Sequence, residues 1–113
     1  MSDRLTSAVV VSALVRRVNA AGGSAMVLAK GDATAGGILI LTLERGGNPQ
    51  FFERGIGASG LAALIPSGPA LLADESEAND YWRRRRSRDP DLWVLELDIA
   101  GAERFAAETM GLG

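Results

Sequence analysis

Leu92-Trp93-Val94-Leu95-Glu96-Leu97-Asp98-Ile99 alternates as a β-strand does, and the rest of the fold is read outward from it. Successive side chains of a strand point to opposite faces. Trp93, Leu95, Leu97 and Ile99 therefore share one wholly apolar side, and Leu92, Val94, Glu96 and Asp98 share the other. Immediately upstream, Pro90 restricts Asp89 to extended backbone, so a helix arriving from the amino-terminal side must stop near Arg88. That helix begins at Asp74, with Asp74 or Ser76 as its cap. Glu75, Glu77 and Asp80 lie in its first half, and Arg83 to Arg86 with Arg88 in its last turns, an order that complements the helix dipole. Asp80 stands at pairing distance from Arg83 and Arg84, three and four residues on.

Further upstream, Ala8, Val11, Leu14, Val15 and Val18 recur at helical spacing, with Ser7 as the expected N-cap and Gly22-Gly23 as a stop. The β-branched run Val9-Val10-Val11 equally suits a strand, so the start of this helix stays open. Ala25–Lys30 and Gly37–Glu44 read as strands, and Gly31–Gly36 between them has the composition of a turn joining antiparallel neighbours. Gly46-Gly47-Asn48-Pro49 is a second turn signal, leading into a short third strand at Gln50–Arg54. Gly55–Pro69 reads as an irregular loop with one helical turn, and Ala70–Ala73 as a marginal fourth strand. A short helix at Gly101–Met110 closes the chain. The expectation is a single α+β domain over residues 1–113. Its sheet is mostly antiparallel, with four to five strands and two main helices, in the order α-β-β-β-(β)-α-β-α.

The 113 residues, 47% of them apolar, supply one core, and without cysteine it must hold without disulfides. The chain has no histidine and one lysine, Lys30. A Ser-His-Asp triad, a cysteine nucleophile and the usual zinc sites are thereby excluded, which leaves carboxylate acid–base or Mg²⁺ chemistry. Residues Met1 to Leu5 show no signal-peptide pattern, and the apolar stretch Ala8–Val15 is well short of the ~20 residues that a membrane span needs. A soluble, cytoplasmic protein with no membrane contact and no cofactor is expected. The net charge of −2 argues against a dedicated nucleic-acid binder, yet five of the eleven arginines fall between Arg83 and Arg88.

Three stretches together resemble a known family. They are Val11–Arg17 with Ala20-Ala21-Gly22-Gly23, Lys30-Gly31-Asp32 with Ala35-Gly36, and Arg88-Asp89-Pro90-Asp91-Leu92-Trp93-Val94 with Glu96-Leu97. In this order and spacing the chain is similar, over nearly its whole length, to the small bacterial family known as domain of unknown function 1491. The Asp-Pro-Asp-Leu-Trp string is the most specific part, and Gly55–Ala73 matches least. The resemblance implies a fold and carries over no activity, cofactor or catalytic residue.

Arg83, Arg84, Arg86 and Arg88 are the candidate contacts to phosphate or to a partner, because arginine offers a fork of donors that matches such anions. Tyr81 and Trp82 lie close enough to stack on bases. Against this, consecutive helical residues point in different directions and cannot all meet one ligand, and a helix end so charged is ordinarily solvated. Trp82 and Trp93 are each either a binding anchor or core. Asp89-Pro90-Asp91 reads as a turn, since Pro90 hinders convergence of its two carboxylates, and Lys30-Gly31-Asp32 reads as a hairpin turn without the glycine pattern of a phosphate loop. Arg16 and Arg17 lie off the apolar stripe of the first helix, either solvated or facing a partner. Glu96 and Asp98 share a strand face, where they either hold Mg²⁺ or form its wet side.

The expected function is a non-catalytic interaction or accessory domain that binds an unknown protein partner or itself. The alternative is a nucleic-acid-binding module built on the Arg83–Arg88 helix. A third reading is a degenerate restriction-endonuclease-like fold, an analogy of element order alone. Such nucleases need a lysine two residues after a strand carboxylate, and here the matching place reads Glu53-Arg54-Gly55.

Overall fold

The computed structural model describes residues 5–112. In chain order its elements are α1 (Ser7–Ala20), β1 (Ser24–Ala29), β2 (Ile38–Glu44), β3 (Gly47–Ile56), β4 (Ala62–Ser67), α2 (Glu75–Arg88), β5 (Trp93–Asp98) and α3 (Ala102–Thr109). They form one five-stranded sheet in the order β1-β5-β2-β3-β4. The β1–β5, β2–β3 and β3–β4 pairs are antiparallel, and β2–β5 is parallel. The α+β class and the element order agree with the sequence reading, and the sheet is mixed.

Strand β5 enters between β1 and β2, so the segment between those strands is a crossover loop and not the hairpin turn expected there. The antiparallel neighbour of β1 is β5, with Ala25 opposite Leu97 and Val27 opposite Leu95. In the middle of the sheet, β2 is covered on both faces, which is why Ile38-Leu39-Ile40-Leu41 is apolar without alternation.

Gly55–Pro69, expected as a loop, is instead the arm of a hairpin: β3 runs on to Ile56, and β4 pairs with it from Ala62 to Ser67. Ala70–Ala73 forms no strand, and Leu71 in it is 90% exposed. The turn before β3 also moves. It is made by Arg45 and Gly46, both left-handed at φ 50° and 76°, while Gly47-Asn48-Pro49 already belong to the strand. Two left-handed residues give the hairpin turn that matches the twist of antiparallel strands. Asp98 secures this turn, accepting from the Arg45 and Gly46 backbone N–H groups at 2.8 Å each.

Helices pack on both faces of the sheet. On one, α1 and α3 bury Ile38, Ile40, Trp93, Leu95 and Leu97 beneath Val11, Leu14, Val18 and Ala106. On the other, Ala78, Tyr81 and Trp82 of α2 cover Leu39, Leu41, Phe51 and Val94. Each fully buried Leu, Ile or Phe contributes roughly 1.5–3 kcal/mol, so the fold is held from two sides. Thr6, rather than Ser7, caps α1, and Ser7 instead lies buried with its hydroxyl donating to the Gly36 carbonyl at 2.5 Å.

The stretches Lys30–Gly36 and Asp89–Trp93 meet in one knot. The Asp32 N–H donates to the Asp91 carbonyl at 2.9 Å, and Trp93 Nε1 donates to the Asp32 carbonyl at 2.8 Å. Asp32 Oδ2 accepts from the Thr34 and Ala35 N–H groups, and the loop's carbonyls at Thr34 and Ala33 accept the first helical N–H groups of α1 from Ser7 and Ala8. Gly31 and Gly36 are required by space: a Cβ on either would stand 2.0 or 2.1 Å from the Asp91 carbonyl oxygen. The motif is thus a latch joining α1, the crossover loop and β5. Among the described residues no helix is long and apolar enough to cross a membrane.

Candidate functional site

The second helix sorts its arginines by helical phase. Asp74 caps it, accepting from the Glu77 N–H at 3.0 Å, and Glu77 reaches back to accept from the Ala73 N–H at 3.1 Å. With the start so fixed, Ala78 is buried and the residues one turn and two turns on, Tyr81 and Arg85, face the sheet beside it. Arg85 forms a two-pronged pair with Glu53 of β3, Nη1 to Oε2 at 2.7 Å and Nη2 to Oε1 at 2.8 Å. Tyr81 accepts from Arg85 Nη1 at 2.9 Å, and Ser67 of β4 donates to Glu53 and lies 3.1 Å from the Tyr81 hydroxyl. Phe51 packs against the Tyr81 ring, with centroids 4.7 Å apart.

This cluster shifts both charged groups toward their ionised forms. Hydrogen bonding from Arg85 holds the Glu53 carboxyl below its usual range, opposed by burial and supported by Ser67. The bond to Glu53 likewise raises Arg85 above the ordinary arginine value. Glu53, the carboxylate that a nuclease reading would recruit, therefore has both oxygens on a guanidinium.

Of the four arginines singled out by the sequence, Arg86 turns inward, donating to the Pro90 carbonyl and, at 3.2 Å, to that of Leu92. It fastens the end of α2 to the start of β5. Asp89 Oδ1 accepts from the Asp91 N–H at 3.1 Å, which makes Asp89-Pro90-Asp91 the expected turn. Arg83, Arg84 and Arg88 are exposed and form no ion pair among the described residues, so the expected pairing with Asp80 is not made. At 100° per residue these three span roughly 140° of the helix circumference, and Arg88, in phase with Tyr81 but at the very end of the helix, is exposed like the other two. Arg83 stacks over the half-buried Trp82 ring at 5.3 Å, and Trp82 Nε1 donates to Asn79 Oδ1 at 3.0 Å. Trp93 is 7% exposed, in the α1–α3 core.

The remaining charged candidates have local partners. Arg17 binds Thr109 at 2.6 Å, lies 3.6 Å from Glu108 and sits over Phe105, joining α1 to α3, while Arg16 is exposed. With Asp98 engaged at the β2–β3 turn, Glu96 stands half-buried beside it. Desolvation, and then the charges of Glu75 and Asp98, raise the Glu96 carboxyl above its usual range. Among the described residues no group of three or more acidic side chains is placed to hold a metal ion.

A cleft of about 530 Å³ lies on the opposite side of the sheet, and sequence reasoning did not single it out. Its floor is Ile38 of β2 and Arg54 of β3, its walls are Val10 of α1 and Met110 after α3, and Thr34–Gly37 overhangs it. The signal that finds it is the alternation of β3. Phe51 and Glu53 face α2, so Phe52 and Arg54 must face the other way, where Phe52 stands opposite Ile40 and Arg54 opposite Leu64.

The family profile described as "Protein of unknown function (DUF1491)" matches residues 5–107. The crystal structure of a DUF1491 family protein from Caulobacter crescentus CB15 is 30% identical, with a TM-score of 0.75 over 89% of this chain and 94% of that one. An NMR structure of a DUF1491 family protein from the same organism is 28% identical, with a TM-score of 0.75 over 92% and 94%. The solution structure of protein Atu0922 from A. tumefaciens is 31% identical, with a TM-score of 0.68 over 85% and 86%. No curated protein matches the chain. On the profile match and the likeness to these structures, the chain belongs to the DUF1491 family.

Proposed function

We propose that this protein is a non-catalytic interaction domain whose outward face of α2 binds an acidic segment of a protein partner. The observation that carries the reading is the division of labour along α2. Arg85 and Arg86 are consumed by the fold, whereas Arg83, Arg84 and Arg88 project outward without an ion pair among the described residues. Arginine forks match carboxylates in pairs, and their charge steers an acidic partner from a distance.

A discrete acidic segment fits this face better than a nucleic-acid backbone does. Glu77 and Asp80 lie nearer the start of α2 than the free arginines, so a short acidic segment meets only the arginine end, whereas a longer polyanion would also run over these carboxylates. The chemistry elsewhere is consistent with a role in binding. The chain lacks histidine and cysteine, and the one carboxylate placed like a nuclease ligand is tied to Arg85.

The test is fluorescence anisotropy of a labelled glutamate-rich peptide and of a labelled DNA duplex, each titrated with the protein over a salt series. The peptide should bind and weaken as salt rises, while the duplex gives no shift at physiological salt. Duplex binding with a log–log salt slope near one per phosphate would replace this reading with nucleic-acid recognition. Absence of binding to either probe at low salt would refute it.

A further inference from the structure

We infer that the cleft between α1, α3 and β2–β3 is a binding site for a small organic anion with an apolar body, such as a medium-chain carboxylate, held through Arg54. The site is separate from the outward face of α2 and does not depend on the reading given to that face.

Four observations lead there. At about 530 Å³ the cleft falls in the range of small-molecule sites, roughly 300–1,000 Å³. Leu5 and Val10 at the start of α1, Ile38 of β2 and Met110 after α3 supply the apolar part of the lining, from three separate segments. Arg54 is the sole charged side chain among the lining residues, and among the described residues it makes neither an ion pair nor a hydrogen bond. Among the described residues no carboxylate lines the cleft, and the anionic head of a solute would answer this guanidinium.

The surrounding fold fixes the rim of the cleft. Ser7 would otherwise offer a hydroxyl to any ligand, but it is buried and committed to the Gly36 carbonyl. That bond, with the Ser7 and Ala8 N–H groups donating to Thr34 and Ala33, holds the overhanging loop against α1. The first N–H groups of α1 are spent on this loop and are not anion donors. Recognition of charge therefore falls to Arg54, and recognition of shape to the apolar walls. An arginine fork binds a carboxylate through two parallel hydrogen bonds.

The experiment is titration of the full-length ¹⁵N-labelled protein with octanoate, hexanoate, butyrate and octylamine, followed by amide shifts. Octanoate should give saturable shifts clustered at Thr34, Gly36, Gly37, Ile38 and Gly111. Affinity should fall by about threefold to fourfold for each methylene removed, since a buried methylene contributes ~0.8 kcal/mol. Octylamine should not bind. Arg54 is exposed, so Arg54→Gln should fold normally and weaken octanoate by about tenfold, the loss of a charge-assisted pair at a wet site. Ala35→Trp, which narrows the cleft and leaves Arg54 in place, should also abolish the shifts. The inference is overturned if octanoate gives no saturable shifts, if they map elsewhere, if octylamine binds as well as octanoate, or if Arg54→Gln binds like the wild type.

Discussion

Replacing Glu53 by glutamine removes one charge from the pair that fixes α2 to β3 and β4. The two hydrogen bonds lost or weakened measure 2.7 and 2.8 Å, between side chains of which 29% (Arg85) and 26% (Glu53) remain exposed. A hydrogen bond to a charged group is worth about 1.5–3 kcal/mol. Solvent screening at a site more than a quarter exposed reduces the sum, and a net loss of ~2 kcal/mol is expected. At about 4 °C per kcal/mol for a domain of this size, Tm falls by ~8 °C. Arg85→Gln should cost a similar amount. In the double variant the two losses should overlap by ~1–2 kcal/mol, because both remove the same pair. The folded Glu53 carboxyl titrates below its unfolded value of about 4.5, so its contribution is complete above that pH and fades as pH falls through the folded value. Thermal melts by circular dichroism at pH 7, and downward from pH 5, read all of this. A Glu53→Gln melt within about 1 °C of wild type at pH 7, or a difference that persists undiminished in acid, would refute the reasoning.

Glu96→Gln should act in the opposite sense. The folded Glu96 carboxyl is raised by desolvation and by Glu75 and Asp98, so ionisation opposes folding as pH rises above the unfolded value, and the amide should raise Tm at pH 7 but not at pH 4. Equal shifts at both pH values would count against it. Gly31→Ala places a methyl 2.0 Å from the Asp91 carbonyl oxygen and should abolish cooperative melting, whereas Gly46→Ala, with nothing within 4 Å, should cost only the strain of its left-handed backbone. Soluble, cooperatively melting Gly31→Ala protein would contradict the latch. Trp93→Ala empties a site 7% exposed and should cost ~3–5 kcal/mol, seen as loss of most of the melting transition. A variant that kept its Tm would show that Trp93 is not core.

The parts of this fold legible in the sequence were those fixed by local chemistry. The alternation of β5, the Asp74 cap, the stop at Pro90 and the α1 stripe each need only neighbouring residues. What escaped depends on distant ones. Nothing within Lys30–Gly37 tells that β5, some sixty residues later, inserts between β1 and β2, because a crossover loop and a hairpin turn draw on the same glycines and aspartates. Strand β4 was hidden by composition: its Pro66 lies at the sheet edge, where proline is tolerated, but in a sequence it reads as a breaker. Four adjacent arginines looked alike, and only the helical phase set by Ala78 and Tyr81 separates the Arg85 of the interior from the Arg84 of the surface. Arg54 was visible only as one member of Glu53-Arg54-Gly55, although strand alternation alone sends its side chain away from Glu53.

The central claim is that α2 divides its arginines between holding the fold and binding a partner. Anisotropy with the glutamate-rich peptide, paired with a melt of each sample, tests it on two variants. The triple variant Arg83→Glu, Arg84→Glu, Arg88→Glu should lose peptide binding and still melt cooperatively, with Tm lowered by about 4 °C, since each exposed charge at the end of the helix dipole is worth roughly 0.3 kcal/mol. Arg85→Gln should lose Tm and, while folded, bind the peptide as the wild type does. Peptide binding that survives the triple charge reversal, or falls with Arg85→Gln in protein that is still folded, would contradict the account.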